Sequence, residues 1–265
     1  MTRNLDDYLI KYGSLQIHLR KSVPADYWVF EGMFYAEEYY PIKITERDVI
    51  LDVGANIGMS VLYFYKKGAR NIIAIEPEPR NFELLKLNIL SNKLHSIKLL
   101  NLAISDEPGT LSFNDTGGTA TAYKSNDHSG IEADTLDNVL TKLGNPDISI
   151  LKMDIEGFEV KALKNFQRHE SIKQVIIETH SKELTNEIIH ILKEWGLTVR
   201  DVSRIKRGKV LKNIFGHFIA FISAEKKNQY STIKQSLKYL VKKGNSPVAA
   251  DNNFSEQRVL YAFKQ

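Results

Sequence analysis

The chain has 265 residues, of which 43% are hydrophobic and 26% charged, and it contains no cysteine. That composition excludes a disordered, collagen-like or coiled-coil chain, and the missing thiols exclude a disulfide scaffold, a thiolate metal site and a cysteine nucleophile. The net charge of +4 hides an asymmetry: residues 200–265 hold 14 Lys and Arg against 4 Asp and Glu, which leaves the rest of the chain at −6. An acidic body with a basic tail suits an anionic partner such as nucleic acid, a phosphorylated substrate or a membrane surface; the bland alternative is a solubilising surface. The longest uncharged apolar stretch of the C-terminal third, Phe218 to Ala224, is far short of the ~20 residues of a membrane helix. The N-terminus lacks the apolar core of a signal peptide, so a cytoplasmic protein with no membrane span is expected.

Residues 1–45 form an aromatic-rich segment, with Tyr27-Trp28-Val29-Phe30, Phe34-Tyr35 and Tyr39-Tyr40. It reads as a layer packed on the core, or as a substrate-binding lid. From residue 46 to 224 the pattern alternates. Val49 to Val53 is a strand, Ile57 to Lys67 a helix, Ile72 to Ile75 a strand, and Pro79 opens a helix with Phe82, Leu85 and Ile89 at helical spacing. Ile97 to Leu102 and Ile148 to Met153 are further strands, Gly157 to Phe166 a helix and Val175 to Ile177 a strand. Glu183 to Trp195 is a helix closed by Gly196. Leu197 to Val202 and His217 to Ile222 are strand candidates whose polar link makes the pair antiparallel. Strands that are apolar throughout, separated by helices, mean a parallel sheet covered on both faces. The fold expected is therefore α/β, mostly parallel with one antiparallel strand. Between the third and fourth core strands, residues 105–130 are an insertion in which Thr110–Phe113 and Thr119–Tyr123 alternate like a hairpin. Residues 225–265 read as a basic tail with a helix over Ser231 to Lys242.

The segment Asp52-Val-Gly54-Ala55-Asn56-Ile-Gly58 closes a strand and opens a helix. Its glycines allow a tight turn and a close approach of a ligand to main-chain N–H groups. It lacks the Gly-Lys-Ser/Thr of a phosphate loop and the middle glycine of the dinucleotide fingerprint, which weighs against an NAD-dependent oxidoreductase. The acid before the first glycine repels phosphate and welcomes a cation such as an amino group. Glu76 ends the next strand, 24 residues on, where a carboxylate accepts both hydroxyls of a ribose. S-adenosylmethionine has both parts, an amino-acid cation at one end and a ribose at the other. The plain alternative is a strand–turn–helix capped by Asn56.

These residues resemble a known family. Asp52–Gly58, Ala74-Ile-Glu-Pro77, Ala103-Ile-Ser-Asp106, Thr135-Leu-Asp137 and Lys152-Met-Asp-Ile-Glu-Gly-Phe-Glu159, in that order, look like the FkbM-type branch of the class I S-adenosylmethionine-dependent methyltransferases. The resemblance implies a Rossmann-like seven-stranded sheet, mostly parallel with one antiparallel strand, over a core of residues 46–224. It implies that Asp52, Gly54, Ala55, Asn56 and Gly58 line the methionine end of the cofactor, that Glu76 and Pro77 hold the ribose, and that Ala103 and Ile104 pack near adenine. Residues 1–30 and the tail match no family feature.

Asp154, Glu156 and Glu159 cluster where the fourth strand becomes a helix, with Glu178 and His180 following the fifth strand. Asp154, Glu156 and His180 are the catalytic candidates, as a general base acting on an acceptor hydroxyl. A divalent metal held by the acids is a less favoured reading, and helix-dipole stabilisation alone accounts for Glu156 and Glu159. Methyl transfer also proceeds by positioning without any base. The function expected is O-methylation of a hydroxyl on a sugar, glycan or small metabolite. The alternatives are RNA methylation through the basic C-terminal region, weakly supported by Asn88-Ile-Leu-Ser-Asn92, and a non-catalytic binding module. Against RNA stands Asp154-Ile-Glu-Gly157 in place of the N/D-P-P-Y/F tetrapeptide of amino-methylating enzymes. The oligomeric state stays open.

Overall fold

The structure, a computed structural model, describes residues 7–115, 120–124, 130–203 and 257–264. The chain opens with a hairpin, β1 (Asp7–Tyr12) and β2 (Leu15–Arg20), then α1 (Pro24–Phe34) with proline in its first turn. The core begins at β3 (Val49–Val53), α2 (Met59–Lys66), β4 (Asn71–Ile75), α3 (Pro79–Ser91) and β5 (Lys98–Leu100). An excursion follows: β6 (Ala103–Ile104), β7 (Gly109–Asp115), β8 (Ala120–Lys124), β9 (Ile131–Asp134) and α4 (Leu136–Lys142). The core resumes with β10 (Ile150–Met153), α5 (Glu159–Lys164), β11 (Gln174–Thr179), α6 (Lys182–Glu194), β12 (Thr198–Asp201) and β13 (Arg258–Phe263). Side chains cap three of these helices: Glu78 accepts from the Asn81 N–H, Thr135 from Asn138 and Ser181 from Leu184.

Seven strands form the main sheet in the order β12-β13-β11-β10-β3-β4-β5. β13 runs antiparallel to both its neighbours and the other pairs are parallel, which is the expected architecture. Alternation along β3 sends Ile50 to a core beneath α1, α2 and α3 and the hairpin, and Leu51 and Val53 to a second core with α4, α5 and α6. Both faces are therefore dry, the environment that near-continuous apolar strands require. Chain order reverses between β3 and β10, and a cleft opens at their carboxyl ends.

Two sequence expectations change. The antiparallel strand is Arg258–Phe263, from the segment read as tail, so the tail boundary at 225 cuts off a central strand. His217–Ile222 and the helix expected over Ser231–Lys242 lie outside the described residues. The third strand stops at Leu100 rather than Leu102, because the Asn101 amide donates to the Glu76 and Pro77 carbonyls (2.8 and 3.0 Å) and turns the chain into a second sheet. In that sheet, ordered β6-β9-β7-β8, the insertion does contain the expected hairpin. Among the described residues no helix is long and apolar enough to cross a membrane.

The aromatic segment is a packing layer. Phe30, Phe34 and Tyr39 are buried against α2, and Tyr39 stacks on Phe64 with ring centroids 6.1 Å apart. The hairpin is fastened to α3 by two asparagines one turn apart. Asn88 accepts from the His18 N–H (2.7 Å) and donates to the carbonyls of His18 and Ile57 (3.2 and 2.8 Å). Asn92 repeats the exchange with Gln16. Asn88 and Asn92 therefore extend the hairpin's backbone pairing, which removes the support they gave to RNA binding. Because Asn88 is fully buried, Asn88→Ala strands three backbone groups. It is expected to cost about 2–4 kcal/mol in urea unfolding, against about 1 kcal/mol or less for Asn92→Ala at the exposed end.

Candidate functional site

The glycine loop is built on a close approach between two strand ends. Gly54 has φ +80°, and a Cβ there would lie 1.8 Å from the carbonyl oxygen of Asp154, so no other residue fits. Lys152 Nζ donates to the Gly54 carbonyl (2.6 Å) and lies 3.3 Å from Asp52 Oδ1, while Asp52 Oδ2 accepts from the Ser60 hydroxyl (2.6 Å). Burial works against the Lys152 charge, but the charges of Asp52, Asp154 and Glu178 outweigh it and hold the ammonium above its usual range. Asp52 is thus fully buried beneath the loop and does not line the cleft. The expectation that it meets a ligand's cation is replaced by a bracing role. Ala55 and Gly58 also sit behind the loop; Gly58, at φ +89°, starts α2 with Leu85 packed against it.

The cleft is open to solvent and lies beside the loop. Of the predicted residues it is lined by Gly54, Asn56, Glu76, Pro77, Ala103, Ile104, Asp154 and Glu156. Glu76 Oε2 accepts from the Asn56 N–H (2.7 Å) and Oε1 from Glu78 (2.9 Å). Burial lifts its carboxyl to about 7, opposed by those two N–H groups, the Lys152 charge and the Asn81 amide. Each carboxylate oxygen has two lone pairs, so acceptor capacity for a vicinal diol remains. Leu102, Ala103, Ile104, Leu111 and Phe158 make an apolar wall suited to a flat ring. Leu111 comes from the insertion, and no spacing in the sequence pointed to it. Glu78 and Asn81 were also missed. Their only signal was the Glu-Pro-Glu-Pro run ahead of α3, which the cap of that helix accounts for.

Beside the glycine loop the cleft is acidic. His180 is not in the lining but stands behind it, with Nε2 3.2 Å from Asp154 Oδ1, Nδ1 3.5 Å from Glu156 Oε2 and Nε2 3.8 Å from Glu159 Oε1. Burial opposes the imidazolium, but the Asp154 hydrogen bond and the Glu156 and Glu159 charges raise it to about 9. Asp154 stays below the usual carboxylate range, because the His180 hydrogen bond and the charges of Lys152 and His180 overcome its burial. Burial and the Asp154 charge push Glu156 up to about 7. Glu156 has φ +53°, and the turn is latched by buried Glu159, whose Oε1 accepts the Ile155 and Gly157 N–H groups (both 3.1 Å). Asp154, Glu156 and His180 bring donor atoms within 4.8 Å of one another, a set able to take a divalent metal. With both ring nitrogens facing carboxylates, the histidine itself supplies the balancing cation here. Glu178, which the sequence placed at the rim, accepts from the Tyr39 hydroxyl (2.8 Å) and the Gln257 amide (3.0 Å); burial and the Asp154 and Glu38 charges lift it to about 8.

Residues 52–198 match the sequence model of the methyltransferase FkbM domain. The chain is 26% identical over 210 residues to methyltransferase sdnD of Sordaria araneosa, covering 64% of this chain and 81% of that protein. It is 26% identical over 197 residues to the 31-O-demethyl-FK506 methyltransferase FkbM of Streptomyces tacrolimicus, covering 60% and 75%. A crystal structure of methyltransferase FkbM from Methylobacillus flagellatus KT superimposes with a TM-score of 0.48 at 16% identity over 68% of this chain. This chain spans about half the length of that structure, 47%.

His180 binds its proton more tightly in the folded chain than in the unfolded one. Its charged contacts therefore stabilise the fold fully below pH 6.5, and that contribution is lost as pH rises through about 9. Urea unfolding of the wild type and His180→Gln is expected to differ by about 2 kcal/mol at pH 6, and the gap to close by about pH 9.5.

Proposed function

The chain belongs to the FkbM methyltransferase family and is an S-adenosylmethionine-dependent methyltransferase, and from that premise we propose that it O-methylates an uncharged hydroxyl of a sugar, glycan or small metabolite. The observation that carries the reading is one cleft at the carboxyl ends of β10, β3 and β4, lined by the Asp154–Glu156 pair, the Gly54 and Asn56 loop, the Glu76 carboxylate and an apolar wall from Leu102 to Ile104. The cofactor fits it: Glu76 takes the ribose hydroxyls, the wall from Leu102 to Ile104 with Phe158 takes the base, and the Gly54–Asn56 main chain borders the amino-acid end. When bound it supplies an electrophilic methyl group. The chain's own residues then have to hold the acceptor oxygen in line and receive its proton.

Asp154 suits that proton. The His180 and Lys152 charges keep it ionised at neutral pH despite its burial, and it lies in the cleft lining beside Glu156. As the acceptor oxygen bonds to the methyl carbon it becomes positive, and a fixed carboxylate stabilises that developing charge before taking the proton. The same carboxylates repel phosphate, which favours an uncharged acceptor over RNA. One relative, the 31-O-demethyl-FK506 methyltransferase, carries an oxygen acceptor in its name. His180 neutralises the acid pair without a metal, so the reaction is expected to survive chelation.

Calorimetry with S-adenosylhomocysteine is expected to give micromolar binding that Glu76→Ala weakens about tenfold or more. With a labelled methyl donor, label should pass to polyhydroxylated acceptors and not to RNA, with EDTA leaving the rate within about twofold. Asp154→Asn should lower kcat by about 10²-fold or more. Cofactor binding without transfer to any acceptor would leave a binding module, and label in RNA would overturn the acceptor class.

A further inference from the structure

The N-terminal hairpin, which matches no family feature, reaches the cleft-lining residue Asn81 through a chain of directed hydrogen bonds. Arg20, at the end of β2, is clamped by Asp26 of α1. Its main-chain N–H and Nε both donate to Asp26 Oδ2 at 2.9 Å, and Nη2 donates to Oδ1 at 2.7 Å. Asp26 is 2% exposed, so the guanidinium has a fixed counter-ion and a fixed plane. The same Nη2 donates to Asn81 Oδ1 at 2.8 Å. Asn81 lies in the first turn of α3, where its main-chain N–H is held by Glu78 (2.6 Å), and its side chain lines the cleft.

A guanidinium has donors only, so it accepts just one orientation of the Asn81 amide, oxygen toward Arg20 and nitrogen away. Asn81 and Glu76 line the same cleft, and the Asn81 amide acts on the Glu76 carboxylate to favour its ionised form. Were the amide reversed, its oxygen would face that carboxylate and repel it.

We propose that the Asp26–Arg20 pair fixes the Asn81 amide so that Glu76 is presented to the ribose hydroxyls, which makes Arg20 and Asn81 positioning residues for the cofactor and the N-terminal segment part of the cofactor site. This rests on the reading of the cleft as an S-adenosylmethionine site. Neither residue is argued to touch the reacting atoms. Their effect falls on how strongly the site distinguishes a ribose from a deoxyribose, because only Glu76 reads that hydroxyl pair.

The test is calorimetry of the full chain with S-adenosylhomocysteine and with its 2′-deoxyribose analogue, for the wild type, Arg20→Met, Arg20→Lys and Asn81→Leu. The wild type should prefer the ribose compound by about tenfold or more. Arg20→Met and Asn81→Leu should each weaken S-adenosylhomocysteine about 5–20-fold and shrink the preference to about threefold or less. Arg20→Lys, which also only donates, should recover most of it. Equal weakening of both ligands with the preference intact would overturn the proposal, as would unchanged binding. Asn81→Leu leaves the Arg20–Asp26 pair in place, so it decides the matter if Arg20→Met does not fold. A wild type that binds neither ligand sinks the cofactor reading itself; a wild type that binds S-adenosylhomocysteine beside an Asn81→Leu protein with normal preference sinks only the relay.

Discussion

Lys152 sits at 3% exposure on β10, the strand paired to β3 in the register that sets Lys152 beside Asp52. A buried ammonium is tolerated only when it is paired and hydrogen-bonded. Here Asp52 supplies the counter-charge and the Gly54 carbonyl an acceptor, so desolvation of the lysine becomes the force that holds the glycine loop down. The same cation lies close enough to favour the ionised forms of Asp154, Glu156, Glu178 and Glu76. The Glu76 and Asp154 sides of the cleft thus share one positive charge, fixed by strand register at the point where chain order reverses.

Around that charge the acids separate by environment. Asp154 has both Lys152 and His180 and stays ionised, whereas Glu156 and Glu178, desolvated and repelled by the Asp154 charge, rise to about 7 and about 8. So many carboxylates near one cleft would repel one another if all were charged at neutral pH. Proton sharing and two cations, Lys152 and His180, offset part of that repulsion and leave Asp154 a firm carboxylate in the cleft lining.

The sequence made the core strands and the Gly54 and Glu76 placements legible, because burial on both sheet faces forces runs such as Val49–Val53, and a tight turn forces glycine. Asp52 was misread for a physical reason: an acid before a glycine loop looks like a ligand-facing group until its neighbour across the sheet is known, and Lys152 lies 100 residues away in the chain. β13 escaped because its apolar run is short, Val259 to Phe263, and follows a lysine- and asparagine-rich stretch that masks it. Leu111, Glu78 and Asn81 entered the cleft through the insertion and a helix cap. Neither feature has a spacing that distinguishes a lining residue from a structural one.

The N-terminal segment ties these strands of argument together. It packs Phe30, Phe34 and Tyr39 against α2, an apolar role that its aromatic content foretold. The polar tips of that layer go further. Tyr39 donates to Glu178, and Arg20 reaches Asn81 in the cleft lining, so one segment touches groups at two places around a cleft it does not line. Burial of a tyrosine or an arginine requires a partner for its polar end. In this fold the partners nearest the carboxyl edge of the sheet are the groups that build the site. Packing the segment therefore also fixes the electrostatics of the cleft, and a layer that reads as mere cover for the core becomes part of how the site is set.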